Sequence, residues 1–214
     1  DTAFAEIDAL PRRLERLGAS GKAVWLDKAT APALLVDAVA DSGAKLIDRR
    51  DPVTAIKAVK NSAELDGARD AHRRDGVAMA KFLAWVDAEV GSGKLTEIDI
   101  VEKLEAFRRE DDTLVEVSFD TISGSGPNGA IIHYAVTESS NRTITPGDIL
   151  LVDSGGQYLS GTTDITRTMA TGPVSDEIRD RNTRVLKGMI AISLAKFPQG
   201  PTGTPPDLVV LAPV

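Results

Sequence analysis

The sequence predicts an α+β chain, in which a short α/β segment precedes a larger region that runs from helices into sheet. Three observations carry that prediction. Residues 22–48 spell strand, helix, strand in under thirty positions; residues 61–108 carry two long helical periods; and from Leu114 the apolar spacing changes from helical to alternating. With 214 residues the chain is longer than a typical domain of roughly 150 and shorter than two.

The elements follow in order. Phe4, Ile7, Leu10, Leu14 and Leu17 recur at helical spacing, with Gly18 as the expected stop; Pro11 inside the run removes a hydrogen bond and should kink or delay the helix. Lys22–Leu26 predicts a short strand, Pro32–Ala40 a helix entered at its proline, and Ala44–Asp48 a second strand parallel to the first. Such a unit is too small for a whole domain. Residues 1–51 are therefore expected to be the end of one, with Arg49-Arg50-Asp51-Pro52 as the boundary and 52–214 as the start of the next. After a short helix, Asn61-Ser62-Ala63-Glu64 supplies a cap and an acidic residue for a helix of about thirty residues reaching Val90. Thr96-Glu97-Ile98-Asp99 does the same for a helix carrying Ile98, Val101, Leu104 and Phe107. Leu114–Phe119 alternates as a strand, Ser123–Gly129 reads as a Gly/Ser/Pro/Asn loop, and Ala130–Val136 reads as a strand carrying His133. Thr145-Pro146-Gly147-Asp148 predicts a turn, because proline pre-sets the backbone angle of its second position. Ile149–Asp153 and Thr163–Met169 are two β-rich runs joined by a glycine-rich connection. A last helix carries Ile178, Val185, Leu186, Met189, Ile190 and Leu194 along its apolar side.

Composition narrows the function. Apolar residues make up 42% and charged residues 27%, as in ordinary globular proteins. The absence of cysteine excludes a disulfide framework, a thiolate zinc site and a cysteine nucleophile. No apolar run approaches the roughly 18 residues of a membrane helix, so no membrane partner is expected. Net charge is −7, and the pairs Arg12-Arg13, Arg49-Arg50, Arg73-Arg74 and Arg108-Arg109 are scattered beside acidic residues. They read as solvated faces, and no nucleic-acid partner is expected. The chain opens at Asp1 without methionine, and five of its eleven prolines fall in the last seventeen residues, which together suggest a fragment.

Asp153 is the most informative residue. It follows Ile149-Leu150-Leu151-Val152, and by alternation it shares a face with Ile149 and Leu151. A carboxylate on the apolar face of a strand is costly unless it is paired or bound to a cation, although the strand could also have ended there, leaving Asp153 to cap the following turn. Asp164 opens the second β-rich run. If the two runs pair antiparallel, their carboxylates approach closely and repel unless a cation lies between them. Oxygen ligands of this kind favour hard or borderline ions such as Mn²⁺, Mg²⁺, Co²⁺ or Zn²⁺. Of the two histidines, His72 lies mid-helix among charged residues and reads as a surface side chain.

Three stretches go beyond spacing: Leu151-Val152-Asp153-Ser154-Gly155-Gly156-Gln157-Tyr158 with Gly161-Thr162-Thr163-Asp164-Ile165-Thr166-Arg167-Thr168; Gly126-Pro127-Asn128-Gly129-Ala130-Ile131-Ile132-His133-Tyr134; and Ile56-Lys57-Ala58-Val59-Lys60-Asn61-Ser62-Ala63-Glu64-Leu65. Together they resemble the creatinase/prolidase/methionine aminopeptidase "pita-bread" metallopeptidase family, and the second resembles its Xaa-Pro aminopeptidase (aminopeptidase P) branch. The likeness runs from Trp25 to Phe197.

The resemblance implies a partial pita-bread catalytic domain in 52–214, preceded by the end of a creatinase-N-like α/β domain in 1–51. It implies a cytoplasmic hydrolase that releases the N-terminal residue from peptides with proline second, through a water activated by two divalent ions. Mn²⁺ is the first expectation and Co²⁺ or Zn²⁺ the alternatives; a homodimer is a further expectation. By the resemblance Asp153 and Asp164 are metal ligands, and His133 is a catalytic and substrate-binding residue. Three further family ligands, one His and two Glu, have no counterpart: no His follows Asp164, and Glu177, the one later Glu, sits where helix capping explains it. The chain alone is accordingly expected to bind metal poorly, turn over little and expose an apolar face. A prolidase-like dipeptidase, a creatinase-like hydrolase or a non-catalytic protein-binding module are the competing readings.

Overall fold

The computed structural model describes residues 4–196, so the proline-rich end singled out in the sequence lies outside the described residues. The chain forms two compact units, one running to Ser62 and the other from Ala63. No helix among the described residues is long and apolar enough to cross a membrane.

In the first unit a 3₁₀ turn, Ile7–Ala9, leads into helix α1 (Leu10–Ala19). Pro11 occupies its first turn, where a missing N–H costs nothing, so the proline delays the helix and does not kink it. The helix continues through Gly18. Strands β1 (Ala23–Leu26) and β2 (Lys45–Asp48) pair in parallel, Ala23 opposite Lys45, with α2 (Ala33–Asp41) as the crossover. Helix α3 (Pro52–Ala58) is capped by Asp51, whose Oδ1 accepts from Val53 N at 2.8 Å; it follows the expected 51/52 boundary but groups with this first unit.

The second unit is built on α4 (Ser62–Glu89) and α5 (Glu97–Arg108). Thr96 and Asp99 form the capping box that opens α5, as the sequence predicts. Six strands follow: β3 (Leu114–Val117), β4 (Ile122–Ser125), β5 (Ile149–Ser154), β6 (Gly156–Tyr158), β7 (Gly161–Thr162) and β8 (Ile165–Ala170). They make two three-stranded sheets, ordered β4-β5-β8 and β3-β6-β7. Helix α6 (Asp176–Leu194), capped by Ser175, closes the described chain. The core lies between the helices and the first of these sheets: Met79, Phe82, Val86, Ile100 and Leu104 pack against Ile144, Leu150 and Val152.

Several sequence expectations change here. Ser123–Ser125, read as loop, is strand β4, whose backbone finds partners on β5 through Ser123↔Val152 and Gly124↔Leu151. The segment 130–136, read as a strand, is not one: Gly126–Ala130 is a 3₁₀ helix and the chain then turns. Arg108, read as one of a solvated pair, is fully buried. The glycine-rich connection between the two β-rich runs itself contains β6 and β7, which belong to the other sheet. The turn at Thr145–Asp148 forms as predicted: Asp148 N donates to Thr145 O at 3.0 Å, and Gly147 takes φ 93°, the conformation a type II turn requires at its third residue. Val185, Met189 and Leu194, on the apolar side the sequence assigns to α6, are exposed.

Candidate active site

Strand β5 carries Asp153. Leu150, Val152 and Ser154 point into the core, and Ile149, Leu151 and Asp153 occupy the other, half-buried face. Asp153 therefore shares a face with Ile149 and Leu151 as expected, but that face is the open one. Its carboxylate keeps contact with solvent, and the desolvation cost is smaller than the sequence suggested.

Strands β5 and β8 pair antiparallel, with Asp153 opposite Thr166 and Ser154 opposite Ile165. Thr166, not Asp164, is the residue facing Asp153, and its Oγ1 donates to Asp153 Oδ1 at 2.7 Å. Carried one position past Ile165, the register sets Asp164 on the face of Thr166 and diagonal to Asp153. Diagonal neighbours lie about 7–8 Å apart, so two aspartates can converge on one ion from there. Asp164 is exposed, and its neighbour Thr163 is fixed. Thr163 N donates to Gly156 O at 2.9 Å, Gly156 N donates to Thr163 Oγ1 at 2.9 Å, and Ser118 Oγ donates to Thr163 O at 2.9 Å. This crossing leaves no room for a side chain at Gly155, where a Cβ would come within 2.0 Å of Thr163 O.

His133 is exposed, in a turn, with φ 54°. That left-handed conformation is uncommon outside glycine, and histidine is among the residues that tolerate it best. The turn brings His133 beside β5. An open cavity of about 310 Å³ is lined by His133, Asp153, Thr166, Ile122, Leu151 and Gly129 among others, whereas Asp164 is not among its lining residues.

The loop that carries His133 is anchored from α5. Glu97, fully buried, accepts from Ser125 N at 2.6 Å, from Asn128 Nδ2 at 3.0 Å, from Tyr134 Oη at 3.0 Å and from Arg142 N at 3.3 Å. Glu97 N in turn donates to Arg142 O at 3.0 Å, and Ile98 N donates to Asn141 Oδ1 at 3.1 Å. The free amides of a helix N-terminus are thus spent on the far end of the loop. Burial holds the Tyr134 hydroxyl above its ordinary value of 10.0, so it stays a donor.

A second network holds the end of β5 from behind. Arg108 Nε donates to Asp75 Oδ1 at 2.7 Å, and its Nη2 reaches Asp75 Oδ2 at 3.2 Å and Ser154 Oγ at 3.0 Å. Tyr158 Oη also donates to Asp75 Oδ1, at 2.9 Å. Burial, then the Asp75 carboxylate, push Tyr158 far above the ordinary tyrosine range. Ser154 is thereby pinned directly beside Asp153.

Asp153 and Asp164 offer oxygen donors only, which suits hard divalent ions. They fit part of a metal site. No group of three or more His, Cys, Asp or Glu residues able to hold a metal occurs among the described residues. Sequence reasoning missed Glu97, Thr166 and the Arg108–Asp75 pair. Thr166 was recoverable from strand register, but nothing local marked Glu97 or Arg108 as buried.

A family model described as metallopeptidase family M24 matches residues 66–210. A probable Xaa-Pro aminopeptidase P of Laccaria bicolor is 43% identical over 201 residues, covering 94% of this chain and 30% of that protein. Xaa-Pro aminopeptidase 1 of Dictyostelium discoideum is 44% identical over 193 residues, covering 88% of this chain and 30% of that protein. The chain thus spans under a third of these curated relatives. Among solved structures, an X-prolyl aminopeptidase of Caenorhabditis elegans, described as a cytosolic enzyme with a di-nuclear active site, superposes with a TM-score of 0.83 at 34% identity; the match covers 95% of this chain and 34% of that one.

Proposed function

The chain belongs to metallopeptidase family M24 and folds as part of its pita-bread domain, and from that premise we propose that it is the section of a cytoplasmic Xaa-Pro aminopeptidase that supplies the first two metal ligands and a substrate-binding histidine. The observation that carries this reading is the convergence of His133, from its turn, with Asp153 and Thr166, from paired strands, on one open cavity. Residues 1–51 are, in this reading, the end of a creatinase-N-like domain, and 52–214 the first part of the catalytic domain.

Two divalent ions, Mn²⁺ first among the candidates, would supply a polarised water and positive charge for the oxyanion of the scissile carbonyl. The residues of this chain do the rest of their share by position. Asp153 and Asp164 would hold the cations, and Thr166 orients the Asp153 carboxylate. His133, held at the cavity mouth by its turn, binds the peptide and passes a proton to the oxyanion through its imidazole. Peptides with proline second are the substrates. Two carboxylates hold a divalent ion weakly, so the 214-residue chain turns over little by itself.

The test is hydrolysis of an Arg-Pro-Pro peptide with and without Mn²⁺, by this chain and by a version continued with the remaining length found in the relatives. The longer version should cleave only with metal, and Asp153→Asn or Asp164→Asn in it should abolish cleavage. Turnover that persists after metal removal, or in either variant, refutes the assignment.

A further inference from the structure

We propose that Glu97 is a positioning residue whose carboxylate sets the place of His133; the inference rests on the reading of His133 as a substrate-binding group. His133 lies in a turn, exposed and at φ 54°, with no sheet to hold it. What holds the segment lies on either side. Ser125 and Asn128 precede His133, Tyr134 follows it directly, and Arg142 stands where the segment returns to α5. All four donate to the one Glu97 carboxylate, at 2.6, 3.0, 3.0 and 3.3 Å.

The chemistry requires a carboxylate. An ionised carboxylate accepts through both oxygens and donates nothing, so it can take four N–H and O–H groups arriving from different directions. A glutamine of the same shape would turn an N–H₂ toward two of those donors. The charge is fully buried, and several hydrogen bonds to one buried carboxylate offset the loss of water. Glu97 is also the first residue of α5, where the helix dipole favours negative charge. Every element of the anchor is therefore rigid: the helix, its capping box and the charge at its start. Tyr134 adds a direct link, since its ring is buried and its hydroxyl, which donates to Glu97, also lies 3.0 Å from Ser140 Oγ, leaving the adjacent His133 little freedom. Glu97 touches neither the cavity nor substrate. It acts through the loop.

The chain has only two histidines, His72 and His133, so a spectrum of histidine-labelled protein contains two ring systems. His72 lies exposed on α4 and serves as the internal reference. At one fixed pH, Glu97→Gln should shift the His133 ring resonances and leave those of His72 in place. Asn128→Ala, a milder variant should Glu97→Gln fold poorly, should shift the same resonances in the same direction. In the continued version, Glu97→Gln should lower kcat by roughly 10²-fold, the scale of an ångström-level misplacement, with KM changed severalfold at most. If both variants lower only the melting temperature and His133 keeps its resonances, Glu97 is structural and the proposal fails. If the resonances move while His133→Ala leaves peptide turnover intact, the positioning stands and the functional reading of His133 falls.

Discussion

Replacing Arg108 with alanine should cost this chain a large part of its stability, and the reason can be worked from the buried pair behind Asp153. Arg108 is 0% exposed and Asp75 3% exposed as side chains, joined at 2.7 Å. Removing the guanidinium leaves the Asp75 carboxylate in the core with the Tyr158 hydroxyl as its remaining donor. Breaking one side of a buried pair costs about 3–5 kcal/mol, because the surviving charge has lost its compensation. With a urea dependence of about 2 kcal/mol per molar, the unfolding midpoint should fall by roughly 2 M. The double variant Arg108→Met with Asp75→Leu should recover most of that loss. It removes both charges, and Arg108 Nη1, buried without a hydrogen-bond partner among the described residues, shows that the native pair is itself incompletely satisfied. The residual cost is the unpaired hydroxyls of Tyr158 and Ser154, about 1 kcal/mol each. Urea unfolding followed by tryptophan fluorescence measures all three proteins. A single variant that loses less than about 1 kcal/mol, or a double variant as unstable as the single, would refute the account. The pair also reaches the site, since Ser154 is hydrogen-bonded to Arg108 and adjoins Asp153.

The remaining predictions are more local. Thr166→Val removes the 2.7 Å bond that orients Asp153 and should weaken Mn²⁺ binding about tenfold, read by calorimetry, with little change in melting temperature because Thr166 is exposed. Gly155→Ala must push its Cβ against Thr163 O and Ser118 Oγ, and should destabilise the fold by about 1–3 kcal/mol in denaturant titration; an unchanged midpoint would mean the crossing is looser than described. Both tyrosines are raised above 10.0 by burial. A raised folded value means their stability is fully present below pH 10 and lost as pH climbs through the folded value, so tyrosinate absorbance should appear late in the native state and together with unfolding. Early, reversible ionisation of both rings in folded protein would contradict the burial of these hydroxyls.

Much of the candidate site was legible before folding. The cap Thr96–Asp99, the turn at Pro146-Gly147 and the antiparallel run of β5 beside β8 depend on neighbouring residues and on side-chain alternation, which sequence states directly. Likewise Asp153, Asp164 and His133 could be singled out from motif residues alone. Register and burial were not local properties. The pairing of β6 with β7 continues the register of β5 with β8 in one hairpin closed at its tip, and that register, set by where the tight turn falls, puts Thr166 opposite Asp153. The face that Asp153 occupies is set by where α4 and α5 pack, since alternation names the members of a face without saying which face is covered.

The same division runs through the charged residues. Sequence alone determined the order of the helices and of the β5 and β8 runs, the carboxylates those runs carry and the histidine in its Gly-Pro-Asn-Gly segment, because each follows from residue type and short-range spacing. Only the tertiary structure decided that Glu97 and Arg108 are buried hubs, whereas His72 and Arg109 lie at the surface as their charged neighbours suggest. A glutamate at a helix start and an arginine at a helix end look alike in sequence whether solvated or enclosed. Their roles came from partners far along the chain, Tyr134 and Arg142 for Glu97 and Asp75 and Ser154 for Arg108, which only the packed chain brings within hydrogen-bond reach.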